Sequence, residues 1–152
     1  PIGLAAVIDK SVARARRLHA DLAVEISIAS DMPPVLADEL LLEQVLFNLL
    51  DNARKYGGPT PVSIFARVEA GRASLSVTDQ GRGIPEADLE KIFEKFYRRA
   101  KGDGRPAGTG LGLAICRGLV EAMGGSISAV SPAVRKRGTR FIIRLPLAPP
   151  EA

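Results

Sequence analysis

A single amphipathic helix is predicted by the stretch Phe47-Asn48-Leu49-Leu50-Asp51-Asn52-Ala53-Arg54-Lys55-Tyr56 (residues 47–56). Its apolar stripe consists of Val45, Leu46, Leu49 and Ala53, and its polar flank of Gln44, Asn48, Asn52 and Lys55. Residues that recur three and four positions apart lie on one face of a helix. Asp38 is placed to cap the amino end, and Gly57-Gly58-Pro59 ends the helix near Tyr56.

The segments around this helix predict an α+β sandwich. In chain order they are a helix from Leu4 to Ala20, a strand of alternating Val24, Ile26 and Ile28, a hairpin with strands from Val62 to Val68 and Leu75 to Asp79 around Ala70-Gly71-Arg72, a helical turn or two from Pro85 to Phe93, a helix from about Gly110 to Met123, and strands from Ser126 to Val130 and Thr139 to Leu145. The expected sheet has about four or five largely antiparallel strands, with three main helices on one face.

Length and composition predict one domain over residues 1–152, because 46% of the residues are hydrophobic and the chain is long enough for one core. The chain begins with Pro1 rather than Met, so we expect a fragment of a longer protein. No apolar run reaches the ~20 residues that span a bilayer, and we expect a fragment that is not membrane-embedded. The only cysteine, Cys116, lies in a helical apolar pattern and suits the reducing cytoplasm.

The net charge of +4 is modest, and much of the basic excess is local. The two basic clusters are Arg98, Arg99, Lys101 and Arg105, and Arg135, Lys136, Arg137 and Arg140. Either cluster alone is typical of a solvated surface. Nucleic-acid binding is not indicated, because the second cluster lacks interleaved aromatic residues and no recognition motif is present.

Asn48 and Asn52 are one helical turn apart, so their amide oxygens can converge on one point. Two neutral oxygens suit Mg²⁺, a hard ion that keeps waters and is shared with substrate phosphates. Taken alone, such a pair is more often plain helix surface.

Two glycine-rich stretches are further candidates for chemistry. In Asp79-Gln80-Gly81-Arg82-Gly83, a carboxylate at a strand end can accept from an exocyclic amine, and the glycines let a flat base approach the backbone. Gly108-Thr109-Gly110-Leu111-Gly112 precedes a helix, where free N–H groups offer an anion site. Each alone is typical of a plain turn or loop. The chain has no Gly-Lys dipeptide, which excludes a P-loop.

The order of these stretches resembles the GHKL superfamily of ATP-binding domains, and within it the sensor histidine kinases. Residues 47–56 resemble its N box and residues 79–83 its first glycine box. Phe93-Glu94-Lys95-Phe96 resembles the F box, and residues 108–113 the second glycine box. The segment Leu41-Leu42-Glu43-Gln44-Val45 is similar to potassium-responsive sensor kinases of the Kdp type.

The resemblance implies a Bergerat fold that holds ATP between the second helix and a mobile lid at about residues 95–110. It implies that Asp79 binds the adenine amino group, that Asn48 and Asn52 hold Mg²⁺ and phosphates, that Lys55 contacts phosphate and that Tyr56 packs near the base. Further ATP-binding residues implied by it are Gly81, Gly83, Ile84, Phe96, Gly108, Thr109, Gly110, Leu111, Gly112 and Leu113. Asn48 and Arg98 are the implied catalytic residues, with Arg99 or Arg105 as substitutes for Arg98.

The implied activity is transfer of the ATP γ-phosphate to a histidine on a separate domain, the dimerisation and histidine-phosphotransfer domain of the same full-length kinase, with a response regulator downstream. The parent protein is expected to be a membrane-anchored sensor kinase, with this chain in its cytoplasmic portion. His19, the only histidine, is followed by Ala20-Asp21-Leu22 and lacks the phosphoacceptor motif, so we interpret it as a helix-end residue. The alternatives are a non-catalytic nucleotide-binding regulatory module and a GHKL-type ATPase.

Slow hydrolysis is expected from the same resemblance. Hydrolytic relatives use a glutamate as the base for water, at the position that Asn48 resembles, and an amide cannot take a proton at neutral pH. We expect Glu43 to be the one carboxylate near the asparagines on this helix. It lies roughly 140° and 180° around the helix from Asn48 and Asn52.

Overall fold

The structure is a computed structural model that describes residues 1–94, 112–132 and 137–149. Its helices are α1 (Leu4–Leu18), α2 (Glu39–Gly57) and α3 (Gly112–Ala122), and its strands are β1 (Val24–Ile28), β2 (Val62–Glu69), β3 (Arg72–Asp79), β4 (Ser126–Val130) and β5 (Thr139–Leu145). Two short 3-10 turns, Glu86–Asp88 and Lys91–Phe93, follow β3.

The five strands form one sheet in the order β1-β2-β3-β5-β4. β1 pairs parallel to β2, and the other three pairings are antiparallel. A parallel neighbour requires a crossover connection, which α2 supplies between β1 and β2. The predicted α+β architecture with a largely antiparallel sheet is therefore confirmed.

One face of the sheet carries the core. Ile64, Val77 and Phe141 lie opposite one another on β2, β3 and β5, and all three are buried. Phe65, the next residue on β2, is exposed, as the two-residue period of a strand requires. α2 and α3 pack against the sheet, and α1 packs against α2. The apolar stripe of α2 is buried as predicted.

Several boundaries differ from the sequence prediction. α1 ends at Leu18 rather than Ala20, because the backbone leaves the helical region at His19. The one or two helical turns predicted from Pro85 to Phe93 are present, and both are 3-10 turns. α3 is described from Gly112 onward, so its predicted start near Gly110 lies outside the described residues. Within the described ranges, no helix is both long enough and apolar enough to cross a membrane.

The predicted cap of α2 is present, since Asp38 Oδ1 accepts a hydrogen bond from the backbone N–H of Leu41 at 3.1 Å. Replacement of Asp38 by Ala leaves this N–H without its partner, and we expect a loss of about 1 kcal/mol in the free energy of unfolding. Urea denaturation measures the change. Asp38→Asn keeps the side-chain oxygen and serves as the control. Equal stability of the wild type and Asp38→Ala would contradict the role of the cap.

Candidate functional site

The carboxyl end of α2 lies directly against the turn that follows β3. A Cβ atom added to Gly81 would lie 2.3 Å from the backbone oxygen of Tyr56 and 2.7 Å from the Cα of Gly57. One added to Gly57 would lie 2.8 Å from the Cβ of Asp79. Only glycine permits such contacts between two backbones. The N box and the first glycine box, predicted from separate stretches, are therefore neighbours in space.

Asp79 is the last residue of β3 and is 2% exposed. Its Oδ1 accepts a hydrogen bond from the N–H of Gly81 at 2.9 Å. Thr139 faces it across the sheet at the start of β5. The Thr139 hydroxyl is buried and has no hydrogen-bond partner among the described residues. An acceptor-only carboxylate and an unsatisfied hydroxyl thus lie side by side, which suits a ligand edge with both donor and acceptor groups.

The turn from Gly81 to Ile84 is tied to the connection between β4 and β5. Ser131 Oγ accepts a hydrogen bond from the N–H of Ile84 at 2.9 Å and donates one to the carbonyl of Gly138 at 2.8 Å. The N–H of Gly138 donates to the carbonyl of Gly81 at 2.8 Å. Gly83 has φ +85° and its Cβ position would lie 2.6 Å from Ser131 Oγ. Two hydrogen bonds therefore join the turn to this connection, and the third holds Ser131 in place to accept from Ile84.

The two asparagines of α2 have different surroundings. Asn48 Oδ1 accepts a hydrogen bond from Gln44 Nε2 at 2.9 Å, and the Asn48 side chain also hydrogen-bonds the thiol of Cys116 on α3. Asn52 Nδ2 is buried without a partner among the described residues. An amide oxygen has two lone pairs, so Asn48 Oδ1 retains one. The donor set fits a magnesium phosphate group, because amide oxygens suit Mg²⁺ and an unsatisfied N–H suits a phosphate oxygen.

Cys116 of α3 is buried against α2, and its side chain adds no charge to the site. Burial raises the pKa of its thiol to about 12, and the hydrogen bond from Asn48 acts in the opposite direction. The protonated Sγ lies 3.8 Å from the backbone oxygen of Val45. Since the thiol stays neutral at physiological pH, no fixed negative charge from it opposes an anionic ligand beside Asn48.

Lys55 pairs with Asp51, a carboxylate that was not predicted to lie beside it. Its Nζ lies 3.1 Å from Asp51 Oδ2, and His19 Nε2 lies 2.7 Å from Asp51 Oδ1. The prediction that Glu43 is the one carboxylate near the asparagines on this helix is wrong, because Asp51 immediately precedes Asn52. Both Asp51 oxygens have basic partners. Lys55 must exchange this partner if it is to meet a phosphate.

Phe93, the first residue of the predicted F box, anchors the segment before residue 95. It is buried, and its ring meets that of Phe141 edge-on with centroids 6.1 Å apart. The guanidinium of Arg117 on α3 lies 4.2 Å from the centre of the Phe93 ring and donates to Glu90 at 3.2 Å. Phe93 thus joins the sheet to α3.

The remaining predicted residues divide into two groups. Gly112 begins α3 and is exposed, with no atom near its Cβ position, and Leu113 is half-buried against the core. Outside the described residues lie the predicted lid and the predicted site residues Phe96, Arg98, Gly108, Thr109, Gly110 and Leu111, together with Arg99 and Arg105.

Comparison with known proteins matches residues 37–149 to the family described as histidine kinase-, DNA gyrase B-, and HSP90-like ATPase. The chain is 36% identical over 153 residues to the signal transduction histidine-protein kinase/phosphatase MprB of Mycobacterium sp. (strain KMS), an alignment that covers 97% of this chain and 29% of that protein. The solved structure of a mycobacterial sensor histidine kinase MprB matches with a TM-score of 0.83 and 36% identity over 97% of both chains. Full-length ShkA in complex with AMPPNP matches with a TM-score of 0.81 and 30% identity, over 100% of this chain and 32% of that one.

Gly81→Ala tests the contact between α2 and the turn after β3. Its Cβ would meet backbone atoms that cannot move aside, so we expect a loss of about 1–3 kcal/mol in the free energy of unfolding. Gly118→Ala is the matched control, because nothing lies within 4 Å of that Cβ position in α3. Alanine at this helical position should raise the free energy of unfolding by about 0.5–1 kcal/mol. Urea denaturation compares the two variants, and equal stabilities would contradict the close approach.

Proposed function

Because the chain belongs to the family of histidine kinase-, DNA gyrase B- and HSP90-like ATPases, we propose that it transfers the γ-phosphate of ATP to a histidine on a separate dimerisation and histidine-phosphotransfer domain. The observation that carries this proposal is the placement of Asn48 and Asn52 on α2, whose end contacts the Asp79 turn. The chain spans about 29% of the length of MprB, so the phosphoacceptor domain and a response regulator are proposed partners. The finer resemblance to Kdp-type kinases stays a prediction, as does a place in the cytoplasmic portion of a membrane-anchored kinase.

The adenine end of ATP is proposed to bind at Asp79. The buried carboxylate can accept a hydrogen bond from the exocyclic amine, and the Thr139 hydroxyl can donate to a ring nitrogen beside it. Two hydrogen bonds of opposite polarity select one edge of a base. Tyr56 is brought alongside through the contact of its backbone with Gly81. The proposed base site thus combines residues from α2, β3 and β5.

The phosphate end is proposed to lie along the polar flank of α2. Asn48 and Asn52 would hold Mg²⁺, and the unsatisfied Nδ2 of Asn52 would donate to a phosphate oxygen. The ion would neutralise part of the phosphate charge. Lys55 lies on the same helix and, once it leaves Asp51, can add a hydrogen bond to phosphate. Arg98 remains our candidate for binding the γ-phosphate during transfer, because a guanidinium stays ionised and binds two oxygens.

Transfer to histidine is favoured over hydrolysis by the absence of a free base among the described residues of α2 near the asparagines. Asn48 is an amide and cannot accept a proton at neutral pH. Asp51 Oδ1 is engaged by His19 Nε2 at 2.7 Å, a contact that does not depend on where Lys55 lies. An attacking water would therefore lack a general base, an assistance typically worth about 10²–10⁴ in rate. The γ-phosphate is then preserved for the imidazole of the acceptor domain.

His19 is not the proposed phosphoacceptor. Its Nε2 is occupied by Asp51, and its side chain is 18% exposed at the end of α1. Phosphorylation at that nitrogen would break its hydrogen bond to Asp51 and place a dianion beside a carboxylate. The acceptor histidine must come from outside this chain.

The metal site is tested by Asn52→Ala. Loss of one amide should weaken Mg²⁺-dependent ATP binding roughly five- to hundredfold, because phosphates and waters still hold the ion. Calorimetry with and without magnesium measures the affinities. Arg54→Ala is the control on the same helix, since Arg54 pairs with Asp21 instead. Equal affinities of the wild type and Asn52→Ala under both conditions would exclude the proposed site.

The reaction is tested by incubating the chain with labelled ATP, magnesium and the isolated dimerisation domain of a full-length relative. We expect label on the acceptor histidine and little release of inorganic phosphate. Asn48→Glu restores a carboxylate and should raise phosphate release relative to transfer. Phosphate release by the wild type that outruns transfer would favour an ATPase. Binding of ATP with neither reaction would favour a regulatory module.

A further inference from the structure

Arg14 of α1 is connected to Asn48 by two hydrogen bonds in series. Arg14 Nη1 donates to Gln44 Oε1 at 2.9 Å, and Gln44 Nε2 donates to Asn48 Oδ1 at 2.9 Å. The guanidinium also lies 4.0 Å from the centre of the Phe47 ring. The stacking holds it in place over the helix, so the first hydrogen bond has a defined direction.

The chemistry of the three side chains fixes the polarity of this series. A guanidinium has donors and no acceptor, so Gln44 must turn its oxygen toward Arg14. The nitrogen of Gln44 then faces Asn48, and only the oxygen of Asn48 can accept from it. The nitrogen of Asn48 is then left on the side of the amide away from Gln44. If an acceptor replaced Arg14, the side-chain amides of Gln44 and Asn48 would each rotate by half a turn, so that their oxygen and nitrogen exchanged places.

Arg14 also differs from its cationic neighbours. Lys10 and Arg54 form ion pairs with Glu39 and Asp21. In the described part of the chain, the recorded partners of Arg14 are instead a neutral amide and an aromatic ring. An exposed ion pair contributes little that is directional, whereas a donor-only group against an amide selects one of its two orientations. In addition, α1 precedes residue 37, so Arg14 lies outside the region that matches the family.

We propose that Arg14 is a positioning residue that acts through Gln44 to set the amide orientation of Asn48 for the metal ion. The inference rests on the proposed magnesium site. In the observed orientation the second lone pair of Asn48 Oδ1 can face a cation, and the hydrogen bond from Gln44 orients the ligand from behind. The inverted amide would present N–H dipoles to the cation instead. Orientation would therefore control magnesium affinity more than affinity for free ATP.

Arg14→Glu replaces the donor by an acceptor and tests the proposal directly. Arg17→Glu is the matched control, because it makes the same charge change at an exposed position of α1. Arg14→Lys restores a donor without an acceptor and should rescue the effect. Arg14→Met removes the polarity constraint and tests the same point if the glutamate variant does not fold. Calorimetry gives the ATP affinity of each variant with and without magnesium.

We expect Arg14→Glu to lower the gain in ATP affinity from magnesium by roughly three- to tenfold, as for one lost hydrogen bond. The magnesium-free affinity should stay within about twofold, and Arg14→Lys and Arg17→Glu should resemble the wild type. A readout without nucleotide is the side-chain amide NMR signal of Asn48. Its protons should shift downfield in Arg14→Glu, because the inverted Asn48 amide donates to the oxygen of Gln44.

Two other outcomes are distinguishable. If Asn48→Ala abolishes the magnesium gain while Arg14→Glu behaves like Arg17→Glu and leaves the amide signal in place, the positioning role is overturned and the proposed function stands. If Asn48→Ala leaves the magnesium gain unchanged, the metal site of the proposed function fails and the positioning role fails with it.

Discussion

Contact between two backbones, at the end of α2 and in the turn after β3, determines where the described site residues lie. Gly81 and Gly57 allow the approach, and Asp79 is buried beside it. A side chain on either glycine would separate the helix from the turn. Asn48 and Asn52 belong to the helix and Asp79 to the strand. The distance between the asparagines and Asp79 therefore depends on this contact. The site is thus a product of sheet and helix packing rather than of any single motif.

Little uncompensated negative charge lies beside the asparagines on the described side of the site. The Cys116 thiol stays protonated, and the Asp51 carboxylate is shared between His19 and Lys55. A carboxylate or thiolate without partners at either place would repel phosphates across a few ångströms. Asp51 thereby helps to join α1 to α2 and adds little net negative charge to the site. Coulomb attraction for an anion is left to the basic residues.

Sequence periodicity was enough to predict the parts of the site that lie within one element. The helical spacing of Asn48 and Asn52 and the position of Asp79 at a strand end both follow from local patterns. Ser131, Gly138 and Thr139 were missed because their roles depend on strand register and on a loop distant in sequence. The hydrogen bond of Arg14 was not predicted for a related reason, since only the packing of α1 on α2 brings Arg14 to Gln44. Tertiary partners of this kind leave no local pattern.

The segment before residue 37, which includes α1 and β1, contributes to the hydrophobic core of the domain. Seven of the core side chains belong to this part of the chain, namely Leu4, Val7, Ile8, Val12, Ala15, Leu22 and Val35. The unit that folds is therefore larger than the unit that is recognised by sequence. A chimera that exchanged residues 37–149 alone between two relatives would transfer the ligand-binding side chains onto a foreign helix. Gln44 and Asn48 would then pack against another protein's α1, and the hydrogen bond from Arg14 to Gln44 would be lost.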